Sequence, residues 1–289
     1  MAIRGSFMRI SCAAAMAALV LSGLAGASSA QVIARAAVVI DSENGRTLYA
    51  KNPDLRMYPA STTKVITAII AIESGRLDEV VTIRQSDVRV EPSIIGLVPG
   101  ERIVLRDLVY GVMLRSGNDA ARAVARHLAG SEAQFAVLMN TKALKLGCTS
   151  THFTNPHGLP NPKHYTSARD LGRIMRYAMH NPEFRAVTGA KLYHSTSSVR
   201  ARDFYNKNKL LRLYKGAIGG KPGYTRAAQQ TLVASASRSG HELVVVCLAS
   251  RGRALWTDAS RLLDLGFTRV ATGPDVGGVS TSAAVLGSH

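Results

Sequence analysis

Apolar residues fill short runs at both ends of this chain, whereas the middle repeats them at three- and four-residue intervals. Residues 35–41 and 46–50 read as strands around Ser42-Glu43-Asn44-Gly45, a turn cluster that predicts a hairpin. Pro59-Ala60-Ser61 then leads into residues 62–74, apolar on every side, the pattern of a buried helix closed by Gly75. Residues 76–185 read mostly as helices (105–114, 119–129, 132–146 and 167–179), punctuated by Gly147 and Asn181-Pro182. From about residue 190 strands return, notably 231–236 and 242–249, joined by Ser237-Arg238-Ser239-Gly240. Residues 253–265 form an amphipathic helix with Gly266 at its expected end. The prediction is an α+β domain over residues 31–270. Its sheet part, about 31–75 and 190–270, is completed by distant segments around a helical part, about 76–189. Residues 271–289, rich in Gly, Ser, Ala and Val, read as a disordered tail, and there is no internal repeat.

The first thirty residues stand apart. Arg4 and Arg9 make a positive start, a charge-free run rich in Ala, Leu, Val and Met follows, and Ala27-Ser28-Ser29-Ala30 supplies the small residues of a cleavage site. The pattern predicts a signal peptide, residues 1–30, cut after Ala30, and hence an exported, periplasmic or extracytoplasmic protein. An uncleaved anchor is the alternative, because the run nearly spans a bilayer. Cys12 lies too early in it for lipid attachment. Removal of the segment leaves Cys148 and Cys247 in an oxidising compartment. The sequence leaves their pairing open, and Cys247 reads simply as a small buried strand residue.

Composition narrows the partners. The chain has 289 residues, 46% hydrophobic and 19% charged, with a net charge of +17. That is too apolar for a disordered chain, and three cysteines are too few for a disulfide scaffold. The charge raises nucleic acid as a partner, but there is no zinc-finger spacing, no aromatic-interleaved basic stretch, and only one Trp. Export argues the same way. The basic residues are scattered along helices, which supports at most a modest attraction to anionic wall or membrane polymers.

Three polar clusters carry chemistry. Ser61 and Lys64, three residues apart, share one face of the buried helix. Desolvation lowers a lysine's pKa, and a neutral amine beside a hydroxyl can take its proton. Alone, the pair reads equally as a helix cap and a lysine reaching outward. Ser116-Gly117-Asn118 sits between two helical stretches, where an ordinary capped loop would also serve. Lys221-Pro222-Gly223-Tyr224-Thr225 opens the late strands, where a turn with an exposed lysine is the plain alternative.

In this order the clusters resemble the Ser-x-x-Lys, Ser-x-Asn and Lys-Thr-Gly set of penicillin-binding proteins and serine β-lactamases. The surroundings resemble the low-molecular-mass D-alanyl-D-alanine carboxypeptidases from about residue 33 to 267. The similar stretches include Tyr58-Pro59-Ala60-Ser61-Thr62-Thr63-Lys64, Gly96-Leu97-Val98-Pro99-Gly100-Glu101 and Ser116-Gly117-Asn118-Asp119-Ala120-Ala121. Asn155-Pro156-His157-Gly158-Leu159 and Asn206-Lys207-Asn208-Lys209-Leu210-Leu211 continue the likeness. The resemblance implies a penicillin-binding-protein/β-lactamase-like fold, an antiparallel sheet flanked by helices with a helical insertion. It implies Ser61 as nucleophile, Lys64 as general base, and Ser116 as proton relay to the leaving amine. Asn118 would hold Lys64 and the substrate amide, and Lys221 would bias Lys64 toward neutrality and attract the terminal carboxylate. Gly223 would let the substrate backbone approach, and the N–H groups of Ser61 and Tyr224 would form an oxyanion hole. The implied substrate is the peptidoglycan stem peptide, with β-lactam antibiotics as inhibitors and neither metal nor cofactor.

The chain departs from the family pattern at three places. Pro222 replaces the threonine of Lys-Thr-Gly, Gln229 stands where glycine is common, and nothing after residue 270 resembles the family's accessory β-domain or amphipathic anchor. No strong membrane anchor is therefore expected. Pro222 is tolerable on an edge strand but predicts weaker carboxylate recognition. The competing readings are a D,D-endopeptidase of cross-links and a catalytically weak wall-binding homologue. A class A β-lactamase fits less well, because no Glu-x-x-Leu-Asn follows Ser116. His157 is left between lining the cleft and packing. Asp170 is expected to favour a helix N-terminus, while Met139, Met175, Met179 and Trp256 are expected to pack.

Overall fold

The computed structural model describes residues 32–272, and those from Ile33 onward belong to one compact unit. The signal segment and nearly all of the tail lie outside the described residues. The chain opens with the expected hairpin, β1 (Ala36–Asp41) and β2 (Thr47–Lys51). Gly45 in the turn adopts φ +78°, and the Asp41 carboxylate accepts from Glu43 N and Asn44 Nδ2. A 3-10 turn (Ala60–Thr63) leads into α1 (Lys64–Glu73), followed by β3 (Val80–Thr82), α2 (Gln85–Val88), β4 (Arg102–Val104) and α3 (Leu105–Tyr110). A π turn (Gly111–Arg115) precedes α4 (Asn118–Ala129) and α5 (Glu132–Lys145), and after a long loop come α6 (Ala168–Met179) and α7 (Pro182–Gly189). The chain ends with β5 (Leu192–Ser195), β6 (Arg202–Tyr205), α8 (Leu210–Leu213), β7 (Ala217–Thr225), β8 (Gln229–Arg238), β9 (His241–Ser250) and α9 (Ala254–Ala271).

The main sheet has five antiparallel strands in the order β2-β1-β9-β8-β7, so the first hairpin pairs with the last strand of the chain. All of β1 is buried because helices cover both faces of the sheet. Alternation divides its side chains. A Cβ built on Gly172 of α6 would meet Ile40 and Val38, whereas one on Gly266 of α9 would lie 2.8 Å from Val39 and 2.7 Å from Leu243. Each helix thus presses a glycine onto the sheet, where any side chain would push it away.

This corrects the reading of Gly266 as a stop, since α9 runs through it to Ala271. The middle of the chain also holds strands that its helical periodicity hides. There β3 pairs with β4, whereas the β5–β6 pair lies beyond residue 190, where strands are expected. Met139, Met175 and Met179 are buried in the core, as are Cys148 and Cys247, both free thiols. Asp170 lies in the first turn of α6, but its carboxylate is occupied by Ser150 N, Thr151 Oγ1 and Arg173 rather than by the helix end alone.

Candidate active site

Ser61 is delivered by backbone under constraint. Ala60, before it, takes a left-handed φ of +50°. Gly158, at φ +87°, lies so close that a Cβ there would fall 1.8 Å from Ala60 O. The Pro59 carbonyl accepts from the hydroxyls of Thr62 at 2.7 Å and Thr231 at 3.0 Å, pinning the turn to β8. Thr63 Oγ1 lies 2.9 Å from His164 Nε2, and His164 Nδ1 accepts from Thr154 N. Burial depresses the His164 pKa to about 3, so the imidazole is neutral and donates through Nε2.

Lys64 begins α1 and has no solvent exposure at all. Its Nζ lies 3.1 Å from Ser61 Oγ, 2.7 Å from Asn118 Oδ1 and 2.6 Å from the His157 carbonyl oxygen. The Asn118 amide donates to the Glu91 carbonyl at 2.7 Å, which orients its oxygen toward Lys64. Burial, reinforced by the charges of Lys221 and Lys207, holds Lys64 well below the ordinary lysine range. A neutral amine has two N–H groups and one lone pair. Asn118 Oδ1 and His157 O are acceptors only, so they take the two N–H groups and leave the lone pair for the Ser61 hydroxyl. That is the geometry of a general base on a serine.

Ser116 closes the π turn at a left-handed φ of +66° and is buried. Its neighbour Gly117 is hemmed in by Ile95, 2.8 Å from where a Cβ would sit. Asn118 N donates to Ser93 O at 2.7 Å, so one residue ties α4 to both Lys64 and the loop of residues 91–93. Asp119 holds the adjoining loop by accepting from the backbone N–H groups of Ile95, Gly96 and Leu97.

On the other wall, Lys221 of β7 is fully buried and its pKa falls to about 7, through burial first and the nearby Lys207 second. Its Nζ donates to the Pro222 carbonyl at 3.0 Å. β7 is an edge strand, so Pro222, paired with Leu232, costs the sheet no interior hydrogen-bond ladder. Gly223 permits a close approach: a Cβ there would lie 2.7 Å from Ser61 N and 2.5 Å from Thr231 Oγ1. Tyr224 is 60% exposed at the cleft rim. Gln229 takes φ +58°, the left-handed conformation that the common glycine would adopt without strain.

The seven candidate residues therefore fall into one cleft but not one network. Ser61, Lys64 and Asn118 are hydrogen-bonded, whereas Ser116, Lys221, Gly223 and Tyr224 line the cleft beside Ser61. The sequence missed the His157 carbonyl, because a peptide oxygen has no signature beyond the glycine that follows it. The His157 side chain is buried and faces Glu132 at 3.2 Å. Trp256 does not simply pack, since it lines the cleft with Arg212 and Arg253. Among the described residues no group of His, Cys, Asp and Glu is placed to hold a metal ion.

Comparison with known proteins agrees with this geometry. The family profile described as D-alanyl-D-alanine carboxypeptidase matches residues 24–252. D-alanyl-D-alanine carboxypeptidase DacB2 of Mycobacterium tuberculosis is 38% identical over 236 residues, covering 80% of this chain and 81% of that protein. A D-alanyl-D-alanine carboxypeptidase of a Streptomyces species is 37% identical, with 86% and 94% covered. A crystal structure of D-alanyl-D-alanine carboxypeptidase from M. tuberculosis superposes with a TM-score of 0.80 at 35% identity, covering 85% of this chain and 94% of that one. A variant of a Streptomyces D,D-transpeptidase gives 0.79 at 34% identity, with 83% and 99% covered. The fold is that of the penicillin-binding D,D-peptidases, and the chain belongs to the D-alanyl-D-alanine carboxypeptidase family of serine peptidases.

Proposed function

We propose that the protein is a serine D,D-carboxypeptidase that removes the terminal D-alanine of peptidoglycan stem pentapeptides and is acylated by β-lactams at the same serine. Lys64 takes the Ser61 proton as Oγ attacks the carbonyl carbon of the penultimate D-alanine. The resulting oxyanion is met by the N–H groups of Ser61 and Tyr224, one such donor contributing about 3–4 kcal/mol. The C–N bond then breaks as Ser116 relays the proton held by Lys64 to the departing amine, and D-alanine leaves with the acyl group on Ser61. Water attacks the ester and gives a proton to Lys64, which returns it to Ser61 Oγ as the ester C–O bond breaks. Asn118 holds Lys64 in place and Lys221 attracts the terminal carboxylate.

The observation that carries this reading is Lys64 Nζ, buried and held by two acceptors with Ser61 Oγ at 3.1 Å. Residues 1–30 would export the chain, with cleavage after Ala30 releasing it outside the cytoplasmic membrane. Among the described residues no helix is long and apolar enough to cross a membrane. The test is incubation of the purified protein with fluorescent penicillin and, separately, with an acyl-D-Ala-D-Ala peptide. Label confined to Ser61 and release of free D-alanine are expected. No label at Ser61 after long exposure refutes the enzyme reading.

A further inference from the structure

The cleft has two unlike halves that meet at Ser61. One, of about 600 Å³, is bordered by Glu91, Asn118, His157 and Arg226 and has cationic and anionic residues in balance. The other, of about 870 Å³, lies on the side of Lys221 and Ser116, the leaving side on the proposed roles of those residues. Six basic residues line it, Arg115, Lys207, Lys209, Arg212, Lys221 and Arg253, and no Asp or Glu does. Several arginines elsewhere are paired, as in Arg202–Glu101, Arg126–Asp87 and Arg169–Asp54. Among the described residues, Arg115, Lys209, Arg212 and Arg253 have no carboxylate partner. Basic side chains gathered on one wall without acidic neighbours give it a positive potential, which favours an anionic ligand there.

A single D-alanine does not account for this half. Its six heavy atoms fill on the order of 180 Å³ at a water's share of about 30 Å³ each, and its one carboxylate needs one or two cations. From the size of this half and its uncompensated charge, we infer that the leaving side selects a departing D-residue bearing a second anionic group, a side-chain carboxylate, held by Arg212 and Arg253 beside Trp256. The inference rests on the D,D-peptidase reading of Ser61 and adds the class of leaving group. These arginines are specificity-determining rather than catalytic, because neither reaches the reacting atoms.

The test compares acyl-D-Ala-D-Glu with the isosteric acyl-D-Ala-D-Gln, and with acyl-D-Ala-D-Ala. Two readouts are taken: kcat/KM for release of the D-residue, and the slowing of fluorescent penicillin labelling, which needs no turnover. D-Glu should exceed D-Gln by about tenfold in kcat/KM, expressed in KM, and protect Ser61 from labelling at about tenfold lower concentration. Both ratios should fall to within about twofold in the Arg212→Gln/Arg253→Gln double variant, and shrink at high salt. Arg173→Gln, on the far side of α6, should leave them unchanged. Equal behaviour of D-Glu and D-Gln while D-Ala-D-Ala is still hydrolysed overturns this inference alone, as does a ratio that survives in the double variant. A protection ratio without turnover of any peptide supports the anion subsite and counts instead against the carboxypeptidase reading.

Discussion

Lys64 and Lys221 are both fully buried lysines on opposite walls of one cleft, yet their settings differ. Lys64, on a helix, is gripped by Asn118 Oδ1, His157 O and Ser61 Oγ. Asn118, at the start of α4, is oriented by the Glu91 carbonyl, and His157 lies in a loop fixed by the close approach of Gly158 to Ala60. Lys221, on an edge strand, holds only the carbonyl of the next residue, and that residue is a proline where the family has threonine. The helix-borne half is therefore over-determined for proton transfer. The strand-borne half is left open for a ligand, with its charge unanswered until one arrives.

The helix-borne half should be intolerant. Lys64→Arg puts a permanent cation where the neutral amine stood and cannot take a proton, since guanidinium does not lose its own. Penicillin acylation of Ser61 should fall by about 10²–10⁴-fold, the usual contribution of a positioned base. Stopped-flow labelling of parent and variant, with thermal melting alongside, checks this. Comparable acylation rates would remove Lys64 from its role.

The strand-borne half should instead show itself in pH. Lys221 titrates at about 7, far below the ordinary 10.5 of an unfolded lysine. Above pH 7 the free protein carries it neutral, and a carboxylate ligand must then bring a proton with it. KM for a free-carboxylate peptide should rise by about tenfold per unit above pH 7, while Lys221→Arg, charged throughout, should be flat over that range. For stability the sign is opposite. Between pH 7 and 10.5 the unfolded chain binds more protons than the folded one, so unfolding free energy should increase with pH across that window. A KM independent of pH from 7 to 9 would show that Lys221 stays charged despite its burial.

The contrast also governs what the sequence could reveal. The helix half is written in side chains at helical spacing, so Ser61 and Lys64 were legible, as was the buried character of α1. The hairpin and the closing strands were legible from alternation and turn residues. What escaped depends on non-local contact. Gly266 has the signature of a stop, yet it is a contact point against Val39 and Leu243, residues far away in the chain. Trp256 has the signature of a core aromatic, and only the packing of α9 against β8 and β9 brings it to the cleft. The His157 carbonyl belongs to the backbone and carries no side-chain pattern. The charge of the leaving side is scattered over residues 115 to 253, and no local window contains it.

Restoring a hydroxyl on the strand sharpens the comparison at smaller scale. Pro222→Thr places a donor beside the substrate carboxylate, and a hydrogen bond to a charged group contributes about 1.5–3 kcal/mol. Acylation efficiency should rise by roughly tenfold at about 1.4 kcal/mol per decade. The gain should shrink for esterified ligands. An unchanged rate with free and esterified ligands alike, at preserved stability, would mean that Lys221 and its neighbours already satisfy the carboxylate.

The smallest effect lies at the turn that ends this strand. Gln229 begins β8 at φ +58°, in a conformation that costs an L-residue about 1–2 kcal/mol. Its side chain recovers part of that through Nε2 donating to the Arg226 carbonyl at 2.6 Å, an exposed contact of modest worth. Glycine adopts the conformation freely but adds about 0.5–1 kcal/mol of unfolded-state entropy. Gln229→Gly should therefore stabilise by no more than about 1 kcal/mol, a rise in Tm of about 2–4 °C at most. A β-branched residue meets the full steric cost and gains no such hydrogen bond, so Gln229→Val should lower Tm by a similar amount. The order of the three melting temperatures is the measurement. If valine melts with or above glycine, the turn is unstrained, and the strand half is loose for want of Thr at 222 alone.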